Sequence, residues 1–476
     1  MNLFIFRRDL RIQDNTTLIK MFQELKEKII VAFIFTPEQI NQKKNNYFSH
    51  NSVQFMIESL HDLADEIKEY GGELYLFHDD NLDVIKKIHS QVKLENIGFN
   101  MDYTPYAKKR DKEIEDWAKD KDIKIFKEED YILHPLLDGS TMNQTSKQAY
   151  KVFTPFRNYL LKNFKVREPN RFKSFDFKKE DKLKKISSYM AEKEIDKFYD
   201  ENKDINVHGG RKNGLKILAN IKKFDDYSKE RDTLTYKTTF LGAHNHFSTV
   251  SIREVYHKIK DTLGKSSGII NELYWRDFYA NITYFFPQVL KGQISGENKS
   301  FKEEYDDIKW SYNKKDFEKW TKGETGYPII DAAMKQLNTT GFQHNRCRMI
   351  TSSFLIKDLH LDWRMGEQYF AQKLVDYDPM NNSGGWLWSS GGGTDAQPWM
   401  RIFNPWTQAE KFDPDCDYIK KWLPELERIP SDDLLNWFKP EIHEKWLKEG
   451  IKYFKPMVNH DDERIETLKR YKKALK

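Results

Sequence analysis

Cysteine is almost absent from this chain, with two residues, Cys347 and Cys416, in 476. Two thiols exclude a disulfide-stapled scaffold and cannot fill a four-cysteine zinc or iron–sulfur site, and they imply a reducing compartment. Long apolar runs are missing too. The stretch 29-IIVAFIF-35 falls far short of the roughly twenty residues that cross a bilayer. The N-terminus, MNLFIFRRDLR, enters a strand at once and lacks the layout of a signal peptide. A soluble, cytoplasmic protein is expected. No GxGxxG or GxxxxGK[ST] follows any strand, so a Rossmann or P-loop nucleotide site is not expected. Internal repeats and low-complexity tracts are also lacking.

What is present is charge and aromaticity: 32% charged residues and a mean hydropathy of −0.80, together with 14% aromatics. A disordered chain would be poor in aromatics, so this one folds. The net charge of +5 is too small to identify a nucleic-acid partner unless it is patchy.

The first third alternates β-branched or aromatic runs with amphipathic helices. Strands are predicted at 2–6, 29–35, 73–77, 96–100 and 123–129, and helices at 15–28 and 51–70, each opening on an asparagine suited to capping. This pattern predicts a doubly wound, five-stranded parallel sheet over residues 1–130. Residues 131–205 are lysine-rich and poor in apolar periodicity, and read as a connector crossing the surface. From 206 to 476 the strand signal disappears. Helical periodicity at 251–263, 269–286, 328–340, 343–358 and 365–376 predicts an all-α second domain.

Three segments look wrong for an ordinary core. On a helix, 271-NELYWRDFYANI-282 puts Glu272, Trp275, Arg276 and Tyr279 on one face. That combination suits stacking on a flat group and hydrogen-bonding its edge. A packing tryptophan beside a surface Glu–Arg pair is the competing account. In 343-QHNRCRMITSSFLIKDL-359, Asn345 and Met349 are i, i+4 neighbours flanked by Arg346 and Arg348. Downstream, 376-DYD-378 sets two carboxylates on a turn, one of which can neutralise a buried arginine. The third segment, 381-NNSGGWLWSSGGGTDAQPWMRIFNPW-406, joins four tryptophans to five glycines with almost no helix or strand patterning. Glycine backbone that lets a ligand approach, with tryptophans lining a pocket for a large planar group, accounts for it better than a surface loop does.

These segments, with FIFRRDLRIQDN at the N-terminus and GETGYPIIDAAMKQL in the helical half, resemble the DNA photolyase/cryptochrome family over the whole length. Within it the chain looks most like the class I cyclobutane pyrimidine dimer photolyases. The resemblance implies an α/β antenna domain, a long linker and a helical domain holding a folded FAD. It also implies light-dependent repair of pyrimidine dimers in DNA, by an electron passed from excited reduced flavin to a flipped-out dimer. A monomer acting on UV-damaged DNA is expected.

Residue roles follow from the same resemblance. Tyr227, the loop Thr238, Thr239, Phe240, Leu241 and Gly242, and Arg348, Asp376, Asp378 and Asn382 match flavin contacts. Gly242 stands where the family usually has serine. Asn382 matches the amide facing the flavin nitrogen that changes protonation. Trp275 and Trp388 match aromatic walls that sandwich the flipped dimer, and Glu272, Asn345 and Met349 complete the lesion pocket. Arg231, Arg276, Tyr279, Arg346, Arg401 and Gln408 match the DNA-contacting surface, which predicts salt-dependent and largely sequence-independent binding. Trp386, Trp363 and Trp310 match a tryptophan chain carrying electrons inward from the surface.

The resemblance leaves a second, antenna chromophore open. A family folate site uses an Asn-Glu pair where this chain has Tyr106 and Ala107, so folate is not carried over; a deazaflavin, a flavin or an empty pocket remain. Two other functions compete. A (6-4) photolyase would place histidines where Asn345 and Met349 stand. A cryptochrome would signal without repair, often with a long C-terminal tail and without the dimer-pocket residues kept here. No metal is expected.

Overall fold

The structure is a computed structural model and describes residues 1–293 and 297–475. The five predicted strands form: β1 (Asn2–Phe6), β2 (Ile29–Phe35), β3 (Leu74–His78), β4 (Asn96–Asn100) and β5 (Lys124–Glu128). They pair in parallel, Phe4 standing opposite Val31 on one side and Gly98 on the other. The sheet has six strands rather than five. A two-residue strand, β6 (Tyr189–Met190), adds antiparallel to β3 and gives the order β5-β4-β1-β2-β3-β6. Two residues carry no periodicity, so only the pairing itself defines this strand.

Alternation along the strands feeds two cores. Phe4, Phe6, Val31 and Phe33 pack with Phe55 and Met56, while Leu3, Ile5, Ile30 and Ala32 pack with Val84, Ile85 and Ile114. Helices on both faces make this the doubly wound layout, with α1 (Thr16–Leu25), α2 (His50–Glu69), α3 (Asn81–Val92) and α4 (Pro105–Asp120) between the strands. Asn15 caps α1 as expected, accepting from the Leu18 N–H. The cap of α2 is Ser49, not Asn51. Asn51 lies inside the helix and donates to the Lys373 carbonyl across the joint with the helical half.

The segment 131–205 is more than a surface connector. It contains α5 (Phe153–Asn163), whose Phe153, Phe156 and Leu160 are buried, as well as β6. Beyond it lie α6 (Leu241–His246), α7 (Ile252–Leu263), α8 (Gly268–Phe285), α9 (Pro328–Thr340), α10 (Asn345–Ser353), α11 (Trp363–Lys373) and α12 (Pro379–Ser390). Among the described residues, none of the helices is long and apolar enough to cross a membrane.

A buried charge cluster locks the two halves. Arg11 from the β1–α1 loop and Arg253 from α7 each donate to Asp130 at 2.7 Å. Arg253 also reaches Asp14 at 2.6 Å, as does Arg167 from the connector. The side chains of Arg11, Arg253, Asp14 and Asp130 are at most 3% exposed. Burial alone would raise the Asp130 carboxyl, but Arg11 and Arg253 hold it far below the usual carboxylate range.

Candidate functional site

The first part of the glycine-rich stretch is a helix, although its composition shows almost no helical patterning. Residues 379–390 are helical, started by the Asp378 side chain accepting from the Asn381 N–H, by Pro379 in the first turn, and stopped by Gly391 in the left-handed region. Packing overrides the poor helix propensity of two internal glycines. Each glycine has a distinct use. A Cβ on Gly384 would fall 2.3 Å from the Tyr279 ring, so its absence lets α8 and α12 touch. A Cβ on Gly385 would meet nothing within 4 Å. Open ground therefore lies over Gly385, with Asn382 one turn before it and Trp388 one turn after.

Asn382 is fixed from behind. Its Nδ2 donates at 3.0 Å to both the backbone carbonyl and the Oε1 of Glu367 on α11. Both amide hydrogens are thereby committed, which leaves Oδ1, an acceptor, for any further partner. Glu367 is fully buried, and that burial pushes its carboxyl up to about 7 against the Asn382 and Tyr47 hydrogen bonds, which favour its charged form.

On α8 the predicted shared face holds in part. Glu272 and Trp275 lie at the surface, partly exposed, and Trp275 stacks at 5.8 Å on Tyr279. The Glu272 carboxylate takes a 2.9 Å bond from Arg231. Loss of solvent raises its carboxyl from the ordinary value while Arg231 lowers it, and the side chain remains 41% exposed. Arg276 does not share this face. It is 7% exposed, lies 3.3 Å over the Tyr131 ring, pairs with Asp277 and donates to the Asn245 carbonyl, so its guanidinium serves the joint between the two halves. The flat stack of Phe153 on Trp275, at 3.7 Å and 8°, covers one face of that indole.

The helix α10 opens on His344, whose side chain accepts from the Arg346 N–H. Asn345 is exposed and its Nδ2 sits 3.9 Å from the Met349 sulfur, the expected i, i+4 contact. Arg346 pairs with Asp232 at 2.9 Å, and its guanidinium lies over Phe412. Arg348 grips both oxygens of Asp376 at 3.0 Å. Asp376 in turn approaches Gly242 so closely that a Cβ there would stand 2.9 Å from Oδ2. The glycine found in place of serine is thus the residue that admits this carboxylate. In the same loop Phe240 has φ of 55° and its ring meets Phe342 edge-on, while the Thr239 hydroxyl accepts from the Leu241 N–H. Tyr227 packs against Gly268 at the start of α8.

Asp378 does not join Asp376. Burial would raise it, but His246, Arg8 and Tyr131 hold it well below the usual range, and it is spent on them and on capping α12. Trp386 and Trp363 are buried at 3% and 1%, whereas Trp310 is partly exposed. Gly366, three residues after Trp363 on α11, leaves room for the Trp386 ring. Arg401 is exposed and Gln408 lies on the helix Pro405–Phe412. An open groove of about 600 Å³ beside Glu168, Arg171 and Lys258 shares no residue with any of these and is lined by charges of both signs. No cluster of His, Cys, Asp and Glu suited to a metal occurs among the described residues.

Sequence reasoning missed Glu367, Phe153 and Asp395, the last of which appears below. Each acts through a contact with a residue remote in sequence, and none has a motif of its own.

The fold and the paired aromatic and amide groups define a two-domain protein with a planar-ligand site in its helical half. Residues 2–174 match the family described as DNA photolyase, and residues 269–473 match the FAD binding domain of DNA photolyase. The chain is 34% identical to a deoxyribodipyrimidine photo-lyase of Salmonella typhimurium and 32% identical to that of Escherichia coli, each over 99% of this chain and 98% of the relative. An archaeal photolyase from Sulfolobus tokodaii, solved with two FAD molecules, superposes with a TM-score of 0.84 at 36% identity, covering 99% of this chain and 100% of that one. A bacterial class III photolyase from Agrobacterium tumefaciens also gives 0.84, at 27% identity over 99% and 97% of the two chains. The chain belongs to the DNA photolyase family.

Proposed function

We propose that this protein binds FAD in its helical half and repairs cyclobutane pyrimidine dimers in DNA under light, as a deoxyribodipyrimidine photo-lyase. The observation that carries the proposal is the open ground over Gly385, bounded on α12 by Asn382 and Trp388 and joined to α8 through the Tyr279–Gly384 contact. The donor set fits the cofactor: Asn382 Oδ1 to accept from a ring N–H, and Arg348 oriented by Asp376 beside the 238–242 loop. When bound and reduced, the flavin supplies one electron on absorbing light.

Trp388 and the exposed part of Trp275 receive the extruded bases, restoring about 1–3 kcal/mol of stacking per base. Glu272, oriented by Arg231, hydrogen-bonds a pyrimidine edge beside the carbonyl where negative charge develops. Asn345 hydrogen-bonds the other edge, and Met349 supplies a soft apolar wall. Arg231, Arg346, Arg401 and Gln408 hold the DNA backbone. Trp386, Trp363 and Trp310 pass electrons inward. A second chromophore belongs to the α/β half, its identity open and folate unsupported. A cytoplasmic location with access to DNA is the reading that repair supports.

The test is repair of a UV-irradiated oligonucleotide by the flavin-loaded protein under blue light, with dimers and (6-4) products assayed separately. Restoration of dimers alone is expected, and failure to restore dimers overturns the proposal. Binding over Gly385 has its own check. Gly385→Ala should raise the stability of the flavin-free protein by up to about 1 kcal/mol, since alanine favours a helix and its methyl meets no neighbour. The same methyl should lower flavin affinity. Unchanged flavin retention would place the cofactor elsewhere.

A further inference from the structure

Trp275, partly exposed, is braced by two aromatic rings, one of them from the connector. Phe153, the first residue of α5, lies flat on the indole at 3.7 Å and 8°, and Tyr279 stacks on it at 5.8 Å and 29°. One turn along α5, Arg157 donates to the Asn271 side chain at 2.9 Å. Phe153 and Arg157 on α5 therefore meet Trp275 and Asn271 on α8, two i, i+4 pairs side by side.

The start of α5 has no side-chain cap of its own, because Val152 precedes it. A residue remote in sequence fills that role: the Phe153 N–H donates to Asp395 Oδ2 at 3.1 Å. Next to it the Thr394 hydroxyl donates to the Lys151 carbonyl. Asp395 sits in the loop that follows α12 and has φ of 47°, a left-handed conformation uncommon for a residue with a side chain. Strain of this kind persists only where the surroundings fix it, and it gathers at functional sites. Here it points the carboxylate back at the first turn of α5.

We infer that Phe153, held by Asp395, is a positioning residue that fixes the plane of Trp275 before a lesion arrives. The inference rests on the reading of Trp275 as a lesion wall. A braced indole has no rotamer freedom left to lose on binding, so more of the stacking energy goes to recognition. The same clamp couples the loop carrying Asp395 and Arg401 to the opposite wall of the site.

The experiment measures the ratio of affinities for a duplex with one thymine dimer and for the same undamaged duplex, at one salt concentration. Phe153→Leu keeps apolar volume but removes the flat ring. It should lower that ratio by about two- to tenfold, with flavin content unchanged and the near-ultraviolet circular dichroism of tryptophan reduced. Phe153→Tyr should restore both readouts. Asp395→Ala should act in the same direction, and Asp395→Asn, which keeps an acceptor, should not. Trp275→Ala is the control. If it lowers the ratio and Phe153→Leu does not, the inference is overturned while the lesion-wall reading stands. If Trp275→Ala leaves the ratio intact, the lesion-wall reading fails. Equal weakening on both duplexes by Phe153→Leu also overturns the inference.

Discussion

Replacing Asp130 by alanine is expected to destabilise the protein by about 3–5 kcal/mol, because it leaves the buried Arg11 guanidinium with no carboxylate bonded to it and Arg253 with Asp14 alone. Arg11 and Arg253 each lose a 2.7 Å bond, and the hydroxyl of Thr16 loses one of 2.6 Å. The Arg11 side chain is 0% exposed and that of Arg253 3%, so bulk solvent does not reach the vacated position. The pH dependence has a definite sign. The folded carboxyl lies below its ordinary value of 3.8, so its contribution is complete above that value and is lost as the pH falls through the folded one. The wild type should therefore lose stability steeply only in acid, and Asp130→Ala should lack part of that acid slope. Urea unfolding at pH 7 and at a pH well below the ordinary carboxyl value measures both. Stability at pH 7 within 1 kcal/mol of wild type would show that the cluster relaxes around the loss.

The same cluster shows what a single sequence can disclose. Strands β1 to β5 were legible because each is a run of β-branched or aromatic residues between capped helices, and the helical half because its apolar residues recur at helical spacing. Strand β6 was not, since Tyr189 and Met190 acquire strand geometry only by pairing with Phe77 and Leu76. The glycine-rich stretch misled for the opposite reason. Its composition shows almost no helical patterning, yet the Asp378 cap, Pro379 and the Tyr279–Gly384 contact impose a helix on its first part. In the site, Glu272, Asn345 and Met349 stand out by helical spacing, and the charge pattern allows one carboxylate of 376–378 to meet an arginine; which one, and every role, comes from the resemblance. Arg276 was misplaced because spacing gives a face but not the depth of a side chain, and a ring from the other half, Tyr131, draws the guanidinium inward. Phe153 and Asp395 are joined across 242 residues of chain, a distance over which no local pattern operates.

Trp388→Ala should give the largest effect on recognition. The indole projects one turn beyond Gly385 on α12, partly exposed, and the backbone behind it is pinned where the Gly393 N–H meets the Leu387 carbonyl at 2.9 Å. Glycine at 393 is what allows that approach, since a Cβ there would stand 3.0 Å from the Trp388 nitrogen. Removing the side chain deletes a wall without disturbing the helix that bears it, because alanine is at home in a helix. Bases pulled out of a duplex have lost their stacking partners, and one aromatic wall returns about 1–3 kcal/mol per base. The preference for dimer-containing over intact duplex should therefore fall by about 5- to 150-fold, while affinity for intact DNA, set by Arg231, Arg346 and Arg401, should barely change. The slope of log affinity against log salt should stay the same in wild type and variant, since no phosphate contact is lost. Binding titrations on the two duplexes at several salt concentrations separate these terms. A variant that loses affinity for both duplexes alike, with a shallower salt slope, would move Trp388 out of the lesion pocket and onto the phosphate-binding surface.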